Sequence, residues 1–117
     1  MEVAWASNDE IMKYGVGVVR SIARSLLEER EDELIEIGRD LDLIARYADS
    51  NYPIMRYDEA VEILQSKGVD IDWGQDLDYS KEKILTADFE VPHFSTHYPR
   101  IAKPFYHRPD PDDAKYV

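Results

Sequence analysis

The chain has 117 residues, with 44% hydrophobic and 33% charged side chains, which is the usage of one globular domain and excludes a disordered segment. Its 25 acidic and 14 basic side chains leave a net charge of −11, so the surface on average repels nucleic-acid phosphates, and cysteine is absent, which excludes disulfides and thiolate metal sites. No apolar run nears the roughly 18 residues of a membrane span, and Met1 to Glu10 carries no basic n-region, so a soluble cytoplasmic chain with no membrane association is expected.

The elements follow in chain order. Val3 to Ala6 is a short apolar run that reads as a buried strand end. Ser7 and Glu10 have the spacing of a capping box. Ile11, Val18, Val19, Ile22, Leu26 and Leu27 then recur on one helical face, which predicts a helix from about Asp9 to Glu31. Gly15 and Gly17 either allow close packing there or weaken its first turns. The charge-dense stretch from Glu28 to Asp42 reads as an exposed connection.

Pro53 steers Tyr52 away from helix, and Ile54 to Arg56 is expected to be extended. A short helix follows over about Asp58 to Lys67, with acids in its first turn, Ala60, Val61 and Leu64 as its apolar stripe, and Gly68 just past its end. Val69, Ile71 and Trp73 alternate with Asp70 and Asp72 in a strand-like pattern that Gly74 breaks. A second short helix is predicted over about Ser80 to Ala87. His93 to Tyr98 and Lys103 to His107 read as strands, the Asp-rich stretch around Pro109 and Pro111 as a turn, and Tyr116-Val117 as the start of another strand.

Few residue sets suggest chemistry by themselves. His93 and His97 have the i,i+4 spacing of helical metal ligands, but on a strand they lie roughly 13 Å apart, too far for one ion to bridge with bonds of about 2 Å. Asp110, Asp112 and Asp113 lack the glycine and the later glutamate of a calcium loop. No nucleophile motif and no glycine-rich phosphate loop is present. The residues alone therefore define an α+β chain with no assigned metal site and no catalytic residue.

Three stretches add a resemblance. Arg56-Tyr57-Asp58-Glu59-Ala60 with Ile63-Leu64 resembles a helix start in aspartyl- and asparaginyl-tRNA synthetases. Trp73-Gly74-Gln75-Asp76-Leu77, followed by Glu82 and Leu85, is similar to a second segment of these enzymes. Phe94 through Tyr98-Pro99, then Lys103-Pro104-Phe105-Tyr106, resembles a pair of their strands. Glu2-Val3-Ala4-Trp5 resembles the strand that follows motif 2. The resemblance to this class II branch covers nearly all of residues 1–117 and is loosest between Glu28 and Asn51.

The resemblance implies part of the class II antiparallel sheet with flanking helices. It implies a segment of a ligase domain that uses ATP and magnesium to activate aspartate or asparagine for transfer to tRNA. A related archaeal asparagine synthetase, with ammonia as acceptor, is similar as well, and Pro104 leans slightly toward the aspartate-activating archaeal members. An amino-acid-binding or interaction protein of synthetase descent is the remaining alternative. Family order puts the motif 2 arginine before Glu2, and the motif 3 arginine and the magnesium-binding strand beyond Val117. The chain is then expected to be inactive alone, to bind no cofactor alone, to meet tRNA only through the parent enzyme, and to self-associate or complement another fragment. The residues carried over are Lys103 as a contact to a substrate carboxylate, Tyr106 on the same wall, and Glu2 toward the substrate amino group. Trp73, Asp76 and Glu82 read as structural.

Overall fold

A computed structural model describes residues 3–117, and the expectation on Glu2 lies outside the described residues. The chain divides into two compact units, one running up to Tyr52 with Glu90–Pro92, the other holding Pro53–Phe89 and His93–Val117.

The first unit is helical. Helix α1 spans Asn8–Glu29 and begins with the expected capping box: the Ser7 side chain accepts the Glu10 N–H, and the Glu10 carboxylate accepts the Ser7 N–H at 2.8 Å. Those bonds from Ser7, backbone first, hold the Glu10 carboxyl below its ordinary pKa. Gly17 has open space where a Cβ would stand, so it loosens the helix without serving a close contact.

Two expectations fail in this unit. Val3 to Ala6 is an exposed turn, with Trp5 fully exposed at φ 63°, because no described strand pairs with it. The charged stretch after Glu28 is not a loop: it forms α2 (Glu31–Glu36) and α3 (Leu41–Asp49). The apolar residues set within the charges decide this. Leu34 is buried, Gly38 at φ 70° ends α2, and Asp40 caps α3 by accepting the Leu43 N–H at 3.0 Å. Helices α1 and α3 pack together, and α1 caps the carbonyl end of α3. Arg20 donates to the Ser50 carbonyl at 2.7 Å, and Arg24 to the Ala48 carbonyl at 3.2 Å. Cations at a helix C-terminus satisfy unpaired carbonyls and the negative dipole end.

The second unit has the order β1 (Ile54–Arg56), α4 (Tyr57–Ser66), α5 (Tyr79–Thr86), β2 (Phe94–Thr96) and a 3₁₀ turn at Arg100–Ala102. The strands pair in parallel, with Met55 opposite Ser95. The mixed helix-and-strand class holds, but the described sheet is a two-stranded parallel one, and antiparallel pairing is confined to the Pro99–Tyr116 bridge. Residues Tyr57, Ala60, Val61 and Leu64 of α4 fall on one helical stripe, and all four are buried. With Met55, Ile71, Leu77 and Leu85 they form the core. Gly68, at φ 79°, stops the helix as expected.

Two strand readings are corrected here. Val69 to Trp73 carries Ile71 into the core and Gln65 donates to the Ile71 carbonyl at 2.9 Å, but no neighbouring strand makes a ladder. Lys103 to His107 is a turn after the 3₁₀ segment, closed by the His107 N–H on the Pro104 carbonyl at 3.1 Å. Pro104 supplies no N–H for a ladder there. Strand β2 is shorter than the bracketing prolines suggested, because His97 adopts φ 54°. The Asp-rich turn is as expected: the Asp110 carboxylate accepts the N–H groups of Asp112 and Asp113.

Candidate functional site

The site lies in the second unit and grows from the N-terminus of α4. Tyr57 is fully buried, yet its hydroxyl reaches the Trp73–Leu77 loop. It accepts the Gly74 N–H at 3.0 Å and donates to the Gln75 carbonyl at 2.6 Å. Burial pushes the Tyr57 pKa up, so the hydroxyl stays protonated and able to donate. Asp58, the next residue, accepts from the Trp73 indole N–H at 2.7 Å and from the Tyr116 hydroxyl. Burial raises the Asp58 pKa, but the Tyr116 and Trp73 hydrogen bonds, with Lys115 and Arg56 nearby, outweigh it and hold the carboxyl below its ordinary value. One helical turn thus pins both the loop and the C-terminal segment.

Gly74 lets the loop close. Its φ is 99°, and a Cβ there would stand 2.8 Å from the Ile101 side chain. A residue with a side chain is strained at that φ. The loop consequently lies against the 3₁₀ turn, and Asp76 meets Lys103. Their side chains form an ion pair at 2.7 Å, with Lys103 only 23% and Asp76 61% accessible. The Lys103 ammonium also stands 4.0 Å from the centroid of the Tyr98 ring. An ammonium over an aromatic face is attracted by the ring quadrupole. Lys103 is therefore held on two sides, and the Asp76 flank remains open.

A groove of about 560 Å³ adjoins Lys103, with Trp73, Ile101 and Phe105 as its apolar surfaces and Arg100 and Lys115 as further cations. Among the described residues no carboxylate lines it, which makes it a positive concavity on a chain of net charge −11.

Of the carried-over residues, Lys103 sits in this constellation. Tyr106 is exposed, its ring stacked on His107 at 4.8 Å and edge-on to Phe105 at 5.8 Å, and it makes no hydrogen bond to the Lys103–Asp76 pair. Asp76 is the residue that sequence reasoning assigned to structure alone. Its pairing partner lies 27 positions away, and nothing local in the sequence signals it. His93 stacks on Phe89 at 4.2 Å and burial lowers its pKa, while His97 has Thr96 and Asp110 as neighbours, so the two histidines share no ligand geometry. Among the described residues no three His, Asp or Glu side chains are grouped to hold a metal ion.

The fold is that of a class II tRNA synthetase domain. The family model for class II tRNA synthetases of the D, K and N type matches residues 1–117, and the chain belongs to this family. Among its relatives, the asparagine–tRNA ligase of Thermococcus gammatolerans is 39% identical over the whole chain, which corresponds to 27% of that protein. The asparagine–tRNA ligase of Thermococcus kodakarensis is 41% identical over the same share. The solved asparaginyl-tRNA synthetase from Pyrococcus horikoshii, complexed with asparaginyl-adenylate, superposes with a TM-score of 0.91 at 37% identity, over 98% of this chain and 26% of that one. The chain thus spans about a quarter of the length of these relatives.

Proposed function

We propose that these residues form one wall of the amino-acid pocket in an ATP-dependent ligase domain that activates asparagine for transfer to tRNA. The observation that supports this most is the Lys103 constellation: a lysine held in place by Asp76 and Tyr98 beside a cation-lined groove. The asparagine–tRNA ligase relatives and the asparaginyl-adenylate complex favour asparagine over aspartate.

In this reading Lys103 donates to an oxygen of the substrate. A fixed ammonium in a partly desolvated wall orients its ligand at small reorganisation cost. Tyr106 packs or hydrogen-bonds at the same wall, and Glu2 approaches the substrate amino group. ATP supplies the adenylyl group for activation, with magnesium bound elsewhere in the ligase. The chain's own residues bind and orient; they do not turn over alone. Its acidic surface leaves tRNA contacts to the rest of the ligase, and the chain meets its own copies or complementing segments through the sheet.

The test is amino-acid-dependent ATP–pyrophosphate exchange by the full gene product carrying these residues. Asparagine is expected to support exchange, and Lys103→Ala to lower kcat/KM for it at least about tenfold, the worth of one charge-assisted hydrogen bond. Exchange with no amino acid, or an unchanged kcat/KM in Lys103→Ala, refutes the assignment.

A further inference from the structure

Lys103 is gripped by Asp76 and by the Tyr98 ring, and both grips trace back to one buried residue. Asp76 sits between two anchors. On its N-terminal side the Tyr57 hydroxyl accepts the Gly74 N–H at 3.0 Å and donates to the Gln75 carbonyl at 2.6 Å. On its C-terminal side Leu77 is buried and belongs to the core. A residue between two fixed neighbours has little freedom to drift, and its carboxylate meets the Lys103 ammonium at 2.7 Å. The second grip, the Tyr98 ring 4.0 Å from the ammonium, is backed by the ring of the same tyrosine. The Tyr57 and Tyr98 ring centroids lie 5.5 Å apart at an interplanar angle of 47°, within the range of favourable aromatic contact.

What these grips contribute is position. The Asp76 side of the ion pair is open to solvent, and an exposed ion pair adds little to stability. Asp76 does not line the groove; it stands behind Lys103 and fixes where the ammonium points. Lysine is among the costliest side chains to order. A lysine ordered in advance loses less freedom when a ligand arrives, and that saving appears as affinity. Tyr57 itself is fully buried and cannot touch a ligand.

We propose that Tyr57 is the positioning residue of the Lys103 ammonium, acting through the Trp73–Leu77 loop and the Tyr98 ring with no contact to substrate of its own. The proposal rests on the reading that Lys103 faces the amino-acid substrate. The two parts of the side chain act separately: the hydroxyl sets Asp76, and the ring supports Tyr98. Tyr57→Phe deletes the first and keeps the second. The Gly74 N–H and Gln75 carbonyl that it frees lie on an accessible loop, where water can pair with them, and the core stays filled.

The experiment is asparagine-dependent ATP–pyrophosphate exchange by the full gene product, comparing Tyr57→Phe, Asp76→Asn and Lys103→Ala with the double variants that combine Tyr57→Phe with each of the others. Tyr57→Phe and Asp76→Asn are each expected to raise KM for asparagine about 3- to 10-fold, less than removal of the ammonium itself, and to leave KM for ATP unchanged. Tyr57→Phe is expected to add nothing further in the Asp76→Asn or the Lys103→Ala background, because it acts through both residues. A merely structural role would lower the active fraction, and hence the apparent kcat, and move neither KM. An unchanged KM for asparagine in Tyr57→Phe, or the same rise in the Lys103→Ala background as in the wild type, overturns the positioning role; a raised KM in Lys103→Ala then leaves the amino-acid wall standing. An unaltered KM for asparagine in Lys103→Ala overturns both. If Tyr57→Phe fails to fold, Asp76→Asn, exposed and outside the core, decides with Lys103→Ala: additive effects of those two overturn the relay.

Discussion

Replacing Asp58 by alanine removes the point at which α4, the Trp73 loop and the C-terminal segment meet. Its carboxylate accepts one hydrogen bond from the Trp73 indole and one from the Tyr116 hydroxyl. A hydrogen bond to a charged group contributes about 1.5–3 kcal/mol. Tyr116 is only 5% exposed and its bond keeps most of that, whereas Trp73 is 44% exposed and its bond is discounted for solvent screening. An acid in a first helical turn adds about 0.3–1 kcal/mol. The expected loss is about 2–4 kcal/mol, a large share of the 5–15 kcal/mol that holds a domain together. Urea denaturation followed by tryptophan emission measures it. A double-mutant cycle with Tyr116→Phe isolates the hydroxyl bond and should give a coupling of about 1.5–2 kcal/mol. The pH dependence has a fixed sign. The folded Asp58 pKa lies below the unfolded value, so its contribution is complete above about pH 4 and is lost as pH falls through the folded pKa. The acid limb of stability should therefore be steeper in the wild type than in Asp58→Asn. An Asp58→Ala chain as stable as the wild type, with zero coupling to Tyr116, would refute the reasoning.

Other perturbations test neighbouring parts of the account. Gly74→Ala forces a side chain onto a backbone at φ 99° and is expected to cost about 1–2 kcal/mol in the same denaturation assay. The Ile101 tip can swing away, so relieving the clash with Ile101→Ala should recover little of that loss. Leu64→Ala empties a fully buried core position and should cost about 2–5 kcal/mol. Ser7→Ala removes one half of the capping box and should lower stability by about 0.5–2 kcal/mol, with a drop in far-ultraviolet helicity confined to the first turns of α1.

What the sequence disclosed follows the range of the interactions involved. The Ser7–Glu10 cap, the α4 stripe and the stop at Gly68 depend on neighbours within a few turns, and all three stand in the structure. The helices α2 and α3 were hidden because their charged faces outnumber Leu34, Ile37, Leu41 and Ile44, although these recur at helical intervals. Strand readings failed where alternation was present without a partner, as at Val69 to Trp73, since a strand is completed by its neighbour and not by its own pattern. The same holds at the site. The motif singled out Lys103, but its ion pair with Asp76 forms only when the Gly74 loop folds back onto the 3₁₀ turn. The Tyr98 ring beneath Lys103 was likewise silent in the sequence.

The most direct test of the central claim is a crystal structure of the full gene product with a non-reactive asparaginyl-adenylate analogue. The account expects an oxygen of the bound asparaginyl group within about 3 Å of the Lys103 ammonium, a hydrogen-bond distance. An analogue seated elsewhere, with Lys103 and Asp76 still paired only with each other, would contradict it.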